Sequence, residues 1–461
     1  MKSTCFGAFP KISILGKTDG KPLSPKPFPK TAPWRFSVSL VFCAVLLLGS
    51  CVSPSFSTGA SRQIPADFFG VIPGGQGPLS REHEFLDELG VVWMRNTFYW
   101  SDIERRQGEW DFSRYDEYVE EGKKAGRKIL AILAYDTPWI YADQKRRRNI
   151  TPERLPHYLR YVEEVVRRYR GKIDAYEIWN EPNWVFWKGT NQDFFALSRA
   201  ALGKIRELDP QVKIAAGSFS WVPKKFIRDM FNSGAMEGAD VVSFHPYGVN
   251  PQSSLKQYDR FVKVLSEKGY TGEIWVTEVG YPTDGCYPTR VPEAVFPEYV
   301  VKTLAGLAIR GAHTVFWYEL TGAYFRGQEP NRVNSEYFFG LAYPDYSPRT
   351  GAAAYALCGR YIAGAEYRPE LPVRENLPPA VETLYFRGEG GRNTLILWNN
   401  GKSPLPLRVL LPGSAQTLHD IVSGEGRALP EETELSLDKT PQFFTWLSGP
   451  EESLRPLAAR R

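Results

Sequence analysis

Between residues 67 and 355, short apolar runs alternate with longer stretches in which apolar and charged positions recur at helical spacing. In order, the apolar runs are Phe68–Val71, Val91–Arg95, Ile129–Tyr135, the segment Ile173–Glu181, Lys213–Gly217, Val241–His245, the segment Glu273–Glu278, and Thr314–Trp317. Each is short, rich in β-branched or aromatic residues and closed by turn-forming residues. That pattern predicts strands buried on both faces of a parallel sheet. Residues 114–125 and 152–169 lie between such runs and read as amphipathic helices. Eight strands, each followed by helical material, predict an α/β fold, a (β/α)8 TIM barrel. An open doubly wound sheet would need a topological switch point and fewer strands. Gly70, Gly74 and Gly75 lack the spacing of a dinucleotide fingerprint and read as loop residues.

The pattern changes near residue 365. Leu384–Arg387, Asn393–Trp398 and Leu405–Leu411 are strand-like, separated by Gly, Asn, Ser and Pro, with no long helix among them. They predict a small C-terminal all-β domain, packed on the barrel. At the other end, the apolar run 36–48 follows Lys30 and Arg35 and closes in Leu48-Gly49-Ser50-Cys51. It is too short to span a bilayer comfortably and fits the apolar region of a signal peptide. The small residue before Cys51 resembles a bacterial lipoprotein signal, in which that cysteine is lipidated and becomes the mature N-terminus. The expected organisation is therefore a lipoprotein-type signal peptide over 1–50 and a flexible tether over 51–64. A catalytic barrel over 65–360 follows, then a small β-sandwich-like domain and tail over 361–461.

Charge and composition narrow the function. The 461 residues carry a formal net charge of +5, but residues 1–50 hold seven of the 57 basic and one of the 52 acidic residues. The remainder is close to neutral, which leaves no case for nucleic acid as a partner. Aromatic residues make up 14%, with 13 Trp and 24 Tyr. Packing accounts for most of them, and flat rings are also useful for holding sugars. The histidines are scattered, no Cys/His cluster has metal spacing, and neither metal nor cofactor is expected. Cys286 and Cys358, the two cysteines outside the leader, do not make a disulfide framework.

The candidate chemistry lies at two strand ends. The fourth run leads into Asn180-Glu181-Pro182-Asn183, and the seventh into Glu278 followed by Val279-Gly280-Tyr281-Pro282. Proline cannot continue a ladder, so the chain turns there and delivers the carboxylate to the C-terminal face of the barrel. Two glutamates on that face suit glycoside hydrolysis, one as acid/base and one as nucleophile.

These residues carry a specific resemblance. Trp179-Asn180-Glu181-Pro182-Asn183, Phe244-His245-Pro246-Tyr247, Trp275-Val276-Thr277-Glu278-Val279-Gly280 and Phe316-Trp317 together resemble glycoside hydrolase clan A, family 39 most and family 5 next. The resemblance implies a retaining mechanism with Glu181 as acid/base and Glu278 as nucleophile. It implies that Arg95, at the end of the second strand, holds the nucleophile, and that His245 and Tyr247 hydrogen-bond around it. It implies that Asn180 contacts a sugar 2-hydroxyl and that Trp317 floors the sugar subsite. Trp184 and Trp187 are expected to give Glu181 apolar cover. Trp139 and Trp184, in loops after strands, read as packing or as sugar-stacking residues. Glu177 is expected lower in its strand, Glu319 near the site, and His313 on the far face. The run Lys145-Arg146-Arg147-Arg148 reads as a solvated face, or as a site for an acidic polysaccharide.

The expected function is a retaining β-glycosidase that hydrolyses O-glycosidic bonds of a β-linked oligo- or polysaccharide by double displacement. It is expected to be exported and anchored in the bacterial cell envelope through Cys51, with a secreted or periplasmic soluble protein as the alternative and a monomer as the default state. Transglycosylation by the same glycosyl-enzyme, and a non-catalytic carbohydrate-binding lipoprotein, remain open alternatives.

Overall fold

A computed structural model describes residues 60–74, 78–285, 290–322, 334–369, 377–410, 414–430 and 432–447. Eight parallel strands close into a barrel in chain order. They are β1 (Phe69–Val71), β2 (Trp93–Tyr99), β3 (Lys128–Ala134), β4 (Ala175–Ile178), β5 (Lys213–Ser220), β6 (Val241–His245), β7 (Glu273–Val279) and β8 (Thr314–Trp317). β8 pairs with β1 to complete the ring. The helices that follow them in turn are α1 (Leu79–Leu89), α2 (Ser113–Lys124), α3 (Leu155–Tyr169), α4 (Asn191–Leu208), α5 (Lys224–Asn232), α6 (Pro251–Ser266), α7 (Phe296–Arg310) and α8 (Thr350–Ile362). α3 shows why these segments are helices on this sheet. It buries Tyr158, Tyr161, Val162, Val165, Val166 and Tyr169, one stripe at i, i+3, i+4 spacing, and keeps its charges outside.

Three strands differ from the expected spans by two residues or more. β2 runs on to Tyr99, so Arg95 lies inside it and not at its end. A hydrophobic-run criterion stops at a charge, whereas a barrel interior accepts a charge that is fully paired. β5 extends to Ser220. β4 stops at Ile178, three residues short of Glu181. Trp179 and Glu181 then take left-handed φ values of 64° and 45°.

The lower half of the barrel is an apolar plug. Trp93, Leu130, Ala175, Ala215, Val241, Trp275 and Phe316 pack together there. Trp93 and Trp275 meet edge to face at 4.9 Å, and Phe316 lies within 6.3 Å of both. Gly70 makes room for them, since a Cβ there would stand 2.7 Å from Phe316 Cδ1 and 3.0 Å from the Trp93 Cβ.

Beyond α8 the chain forms an antiparallel sheet of β9 (Glu366–Arg368), β10 (Val381–Arg387), β11 (Arg392–Asn399), β13 (Ser414–His419), β14 (Gly426–Ala428) and β16 (Gln442–Leu447). β12 (Leu405–Leu410) and β15 (Glu432–Leu437) form a separate two-stranded ribbon. Alternation along β10 and β11 splits the sheet in two. Leu384, Phe386, Ile396 and Trp398 belong to the core shared with the barrel, while Tyr385, Leu395 and Leu397 join a separate cluster with Val409 and Leu437. Tyr361 of α8 packs against His419 and Phe443 of this sheet, and Lys302 of α7 donates to the Lys439 carbonyl at 2.7 Å. Arg62–Gln63, which the sequence places in the tether, forms a short strand paired with β9, and Ile64 is buried. The leader, Cys51 and Cys286 lie outside the described residues.

Replacing Trp275 with Ala removes the centre of the plug. It should cost about 3–5 kcal/mol of stability, read as a lower melting temperature; an unchanged melting temperature would show that the plug does not hold the barrel.

Candidate active site

Above the plug the barrel interior becomes polar, and Arg95 is its centre. The side chain is almost wholly buried, and each guanidinium nitrogen has its own partner. Nε donates to Glu177 at 2.7 Å, Nη1 to Glu278 at 2.7 Å and Nη2 to the Asn180 side-chain oxygen at 2.8 Å. Two segments far from it in sequence, 177–180 and the one carrying Glu278, are tied to one planar group. Charges taken out of water must be paired and hydrogen-bonded, and this arginine is. Its two carboxylate partners outweigh the effect of burial and hold it charged.

Glu278 reaches the interior through an irregularity. The β7–β8 register shifts between Val276 and Val279, which inserts one extra residue into β7. Thr277 and Glu278 therefore both reach the interior: Thr277 donates to Glu177 at 3.0 Å while Glu278 accepts from Arg95. Two residues past Glu278 the chain must be glycine, because a Cβ on Gly280 would lie 1.9 Å from the Tyr318 carbonyl oxygen. β5 carries a matching irregularity between Ala216 and Phe219, with Ser218 at φ 43°. Ser218 Oγ donates to the Asn180 oxygen at 3.3 Å and lies 3.3 Å from His245 Nε2. With its oxygen taken by Arg95 and Ser218, the Asn180 amide N–H groups have no hydrogen-bond partner among the described residues.

The two glutamates meet at His245. Nδ1 of that ring is 2.9 Å from Glu181 Oε1 and 3.5 Å from Glu278 Oε2. Its Nε2 lies 3.0 Å from Thr277 Oγ1, which holds the ring in place. Facing oxygens of Glu181 and Glu278 and a nitrogen of His245 lie within 4.8 Å of one another. That spacing would also suit a cation, but hydrogen bonds already engage both carboxylates. Tyr247 completes the set by donating to Glu278 Oε2 at 2.9 Å. An Asn250–Ser253 capping box at the start of α6 fixes the loop carrying Tyr247.

The electrostatics of the glutamates differ. Burial alone would raise the Glu278 carboxyl, but the charges of His245 and Arg95 and the bonds from Arg95 and Tyr247 hold it below the usual carboxylate range. Glu181 has His245 as its one hydrogen-bonding side chain among the described residues. A third carboxyl, Glu336, accepts from Tyr318 Oη at 2.6 Å. Burial pushes it up, the Tyr318 bond works against that, and the charges of Glu278 and Glu181 raise it further.

Of the predicted residues, Glu181, Glu278, Arg95, Asn180, His245 and Tyr247 come together. His245 stands nearer to Glu181 than to the nucleophile candidate. Trp317 does not join them. Phe316 points into the plug, so Trp317, one residue on, faces the helices, where it packs against Tyr281 and Phe296. Tyr318 reaches the mouth in its place, its ring 6.3 Å from Tyr247. Trp187 is buried against Trp179 and Phe194, and Trp184 is exposed. Trp139 packs on Trp100 and His157. Glu177 lies low in β4 and His313 at the N-terminal end of β8, both as expected; Glu319 is buried. In the basic run, Lys145 and Arg146 are exposed, Arg147 pairs with Asp143, and Arg148 lies 3.7 Å over the Tyr135 ring. Sequence reading missed Ser218, Tyr318 and Glu336. Strand alternation from Phe316 was the one signal that pointed to Tyr318.

No family model matches the chain. A beta-xylosidase from Caldicellulosiruptor saccharolyticus is 30% identical over 113 residues, 22% of this chain and 22% of that protein's length. Among solved structures, a family 39 glycoside hydrolase from Bacteroides cellulosilyticus WH2 is similar with a TM-score of 0.68 at 19% identity, over 84% of this chain and 81% of that one. A family 39 beta-xylosidase from Caulobacter crescentus matches with a TM-score of 0.61 at 15% identity, covering 85% and 98%. A family 30 endoxylanase from Clostridium papyrosolvens C71 matches with a TM-score of 0.60 at 14% identity, also covering 85% and 98%. At these identities the likeness establishes a shared fold, barrel and second sheet together.

Replacing Tyr247 with Phe tests the Glu278 environment without reference to turnover. A carboxyl lowered in the folded state adds stability above its unfolded pKa and loses it as pH falls through the folded one. Loss of the hydrogen bond should cost about 1.5–3 kcal/mol at neutral pH, and the gap in melting temperature should close in acid. A gap independent of pH would mean that Tyr247 acts on stability through packing alone.

Proposed function

We propose that this protein is a retaining β-glycosidase acting on β-linked glycans, with Glu278 as nucleophile and Glu181 as acid/base. One observation carries the reading: the two carboxylates face each other across the barrel mouth with oxygens within 4.8 Å. Retaining enzymes hold their carboxyls roughly 5–5.5 Å apart, whereas inverting enzymes leave about 6.5–9.5 Å for a water.

The arrangement divides the labour. Arg95, Tyr247 and His245 keep Glu278 ionised for attack on the anomeric carbon. Glu181 donates its proton to the departing oxygen as the glycosyl–Glu278 ester forms. Glu181, now a carboxylate, takes a proton from water as the water attacks the same carbon and releases Glu278. The free amide N–H of Asn180 is placed to donate to the sugar beside the reacting centre. The names of the similar proteins make β-linked xylose the first sugar to test.

Incubation with a 2-deoxy-2-fluoro glycosyl panel (xylosyl, glucosyl, mannosyl) should leave a stable adduct, found by intact mass and mapped to Glu278. An adduct on another residue, or inverted product from an unmodified substrate, would sink the reading. Glu181→Gln should lose about 10²–10⁴-fold in turnover of substrates with poor leaving groups.

Export and lipid anchoring belong to the same proposal. The apolar run 36–48 and the Leu48-Gly49-Ser50-Cys51 ending support them. In a bacterial host, wild type should fractionate with membranes and Cys51→Ser should not; equal partitioning of the two would remove the anchor.

A further inference from the structure

Of the tryptophans among the described residues, only Trp184 and Trp221 are exposed, at 41% and 38%. They stand together, ring centroids 5.1 Å apart and planes at 72°. Trp184 lies in the turn after Glu181, and its backbone N–H donates to the Glu181 carbonyl at 3.0 Å. Trp221 is the residue after β5, in a left-handed conformation at φ 54°, and its N–H donates to the His245 carbonyl. The two are locked to one another through Asn183 and Ser220. Asn183 Nδ2 donates to the Ser220 carbonyl at 2.8 Å, and the Ser220 N–H donates back to Asn183 Oδ1 at 3.0 Å. Neither indole N–H has a hydrogen-bond partner among the described residues.

Exposed apolar groups next to a polar site mark a binding surface more often than chance exposure does. An indole left in water over a rigid, doubly hydrogen-bonded turn offers a flat face and one donor. That combination suits a sugar ring, which presents C–H groups on one side and hydroxyls at its rim.

We propose that Trp184 and Trp221 form the platform for the sugars on the leaving-group side of the cleaved bond. The assignment rests on the glycosidase reading and on the side of the barrel concerned. The acid stands beside the departing oxygen, so the leaving group passes over the strand that carries Glu181 and its neighbour. Those are β4 and β5, and the two tryptophans cap them. Glu278, on β7, lies on the opposite side. The substrate is thus a chain that continues beyond the cleaved bond by at least one sugar, and not a glycoside of a small alcohol.

The test compares xylotetraose with β-xylosyl fluoride, whose leaving group is a single atom; cellotetraose and the glucosyl fluoride serve if glucose is the accepted sugar. In Trp184→Ala and Trp221→Ala, the ratio of kcat/KM for the tetraose to kcat/KM for the fluoride should fall about tenfold or more. An unchanged ratio, with both rates lowered together or neither altered, overturns the platform. If wild type turns over none of the probes, quenching of tryptophan fluorescence by the tetraoses still decides the platform. Quenching in wild type that is lost in the double variant supports it, and no quenching overturns it.

Discussion

Everything in the upper half of this barrel is arranged around one buried guanidinium. Arg95 makes three separate charge-assisted or polar bonds, to Glu177 on β4, to Glu278 on β7 and to Asn180 beyond the end of β4. Desolvating an arginine and two carboxylates is costly, and only complete pairing offsets it. A lysine could neutralise one neighbour, but it could not present three donors in a fixed plane. The same bonds that make the charge tolerable set the positions of Glu278 and Asn180. The negative charge left over, two carboxylates to one guanidinium, is shared with His245 and Tyr247.

The two ends of the barrel follow different rules. The lower half is regular, with side chains from successive strands forming an apolar plug. The upper rim departs from regularity wherever a polar side chain must be redirected. β5 and β7 each carry one extra residue, and Trp179, Glu181, Ser218 and Trp221 all take left-handed backbone. Conformations of this kind cost energy in non-glycine residues and persist where surrounding contacts enforce them. Here the contacts are the Asn183–Ser220 exchange, the bond from the Glu181 N–H to the Ser218 carbonyl, and the packing of Trp179 against Tyr135, Tyr158 and Trp187. The strain is concentrated around the carboxylate that faces His245.

Two carboxyls of the mouth, Glu278 and Glu336, are tuned apart by their neighbours. Glu278 is drawn down by His245, Arg95 and the Tyr247 phenol, whereas Glu336, with Tyr318 as its hydrogen-bonding side chain, is pushed up by burial and by the other two glutamates. Pairs of acids driven in opposite directions are the usual condition for separating acid from base roles in one site.

The class of fold, the number and order of strands and the two glutamates were legible along the chain, because each depends on local pattern. Apolar runs of strand length, helical spacing between them and a proline directly after Glu181 are all short-range signals. The direction of individual side chains was not legible. An extra residue in β7 turns Glu278 inward beside Thr277, and alternation from Phe316 sends Trp317 out to the helices and Tyr318 in to the mouth; both follow from register between strands. Arg95 looked like the end of a strand because charge ends an apolar run, yet its partners at Glu177 and Glu278 keep it inside one. Glu336 and Trp221 carry no motif at all, and they acquire meaning only when barrel closure brings distant segments to the same rim.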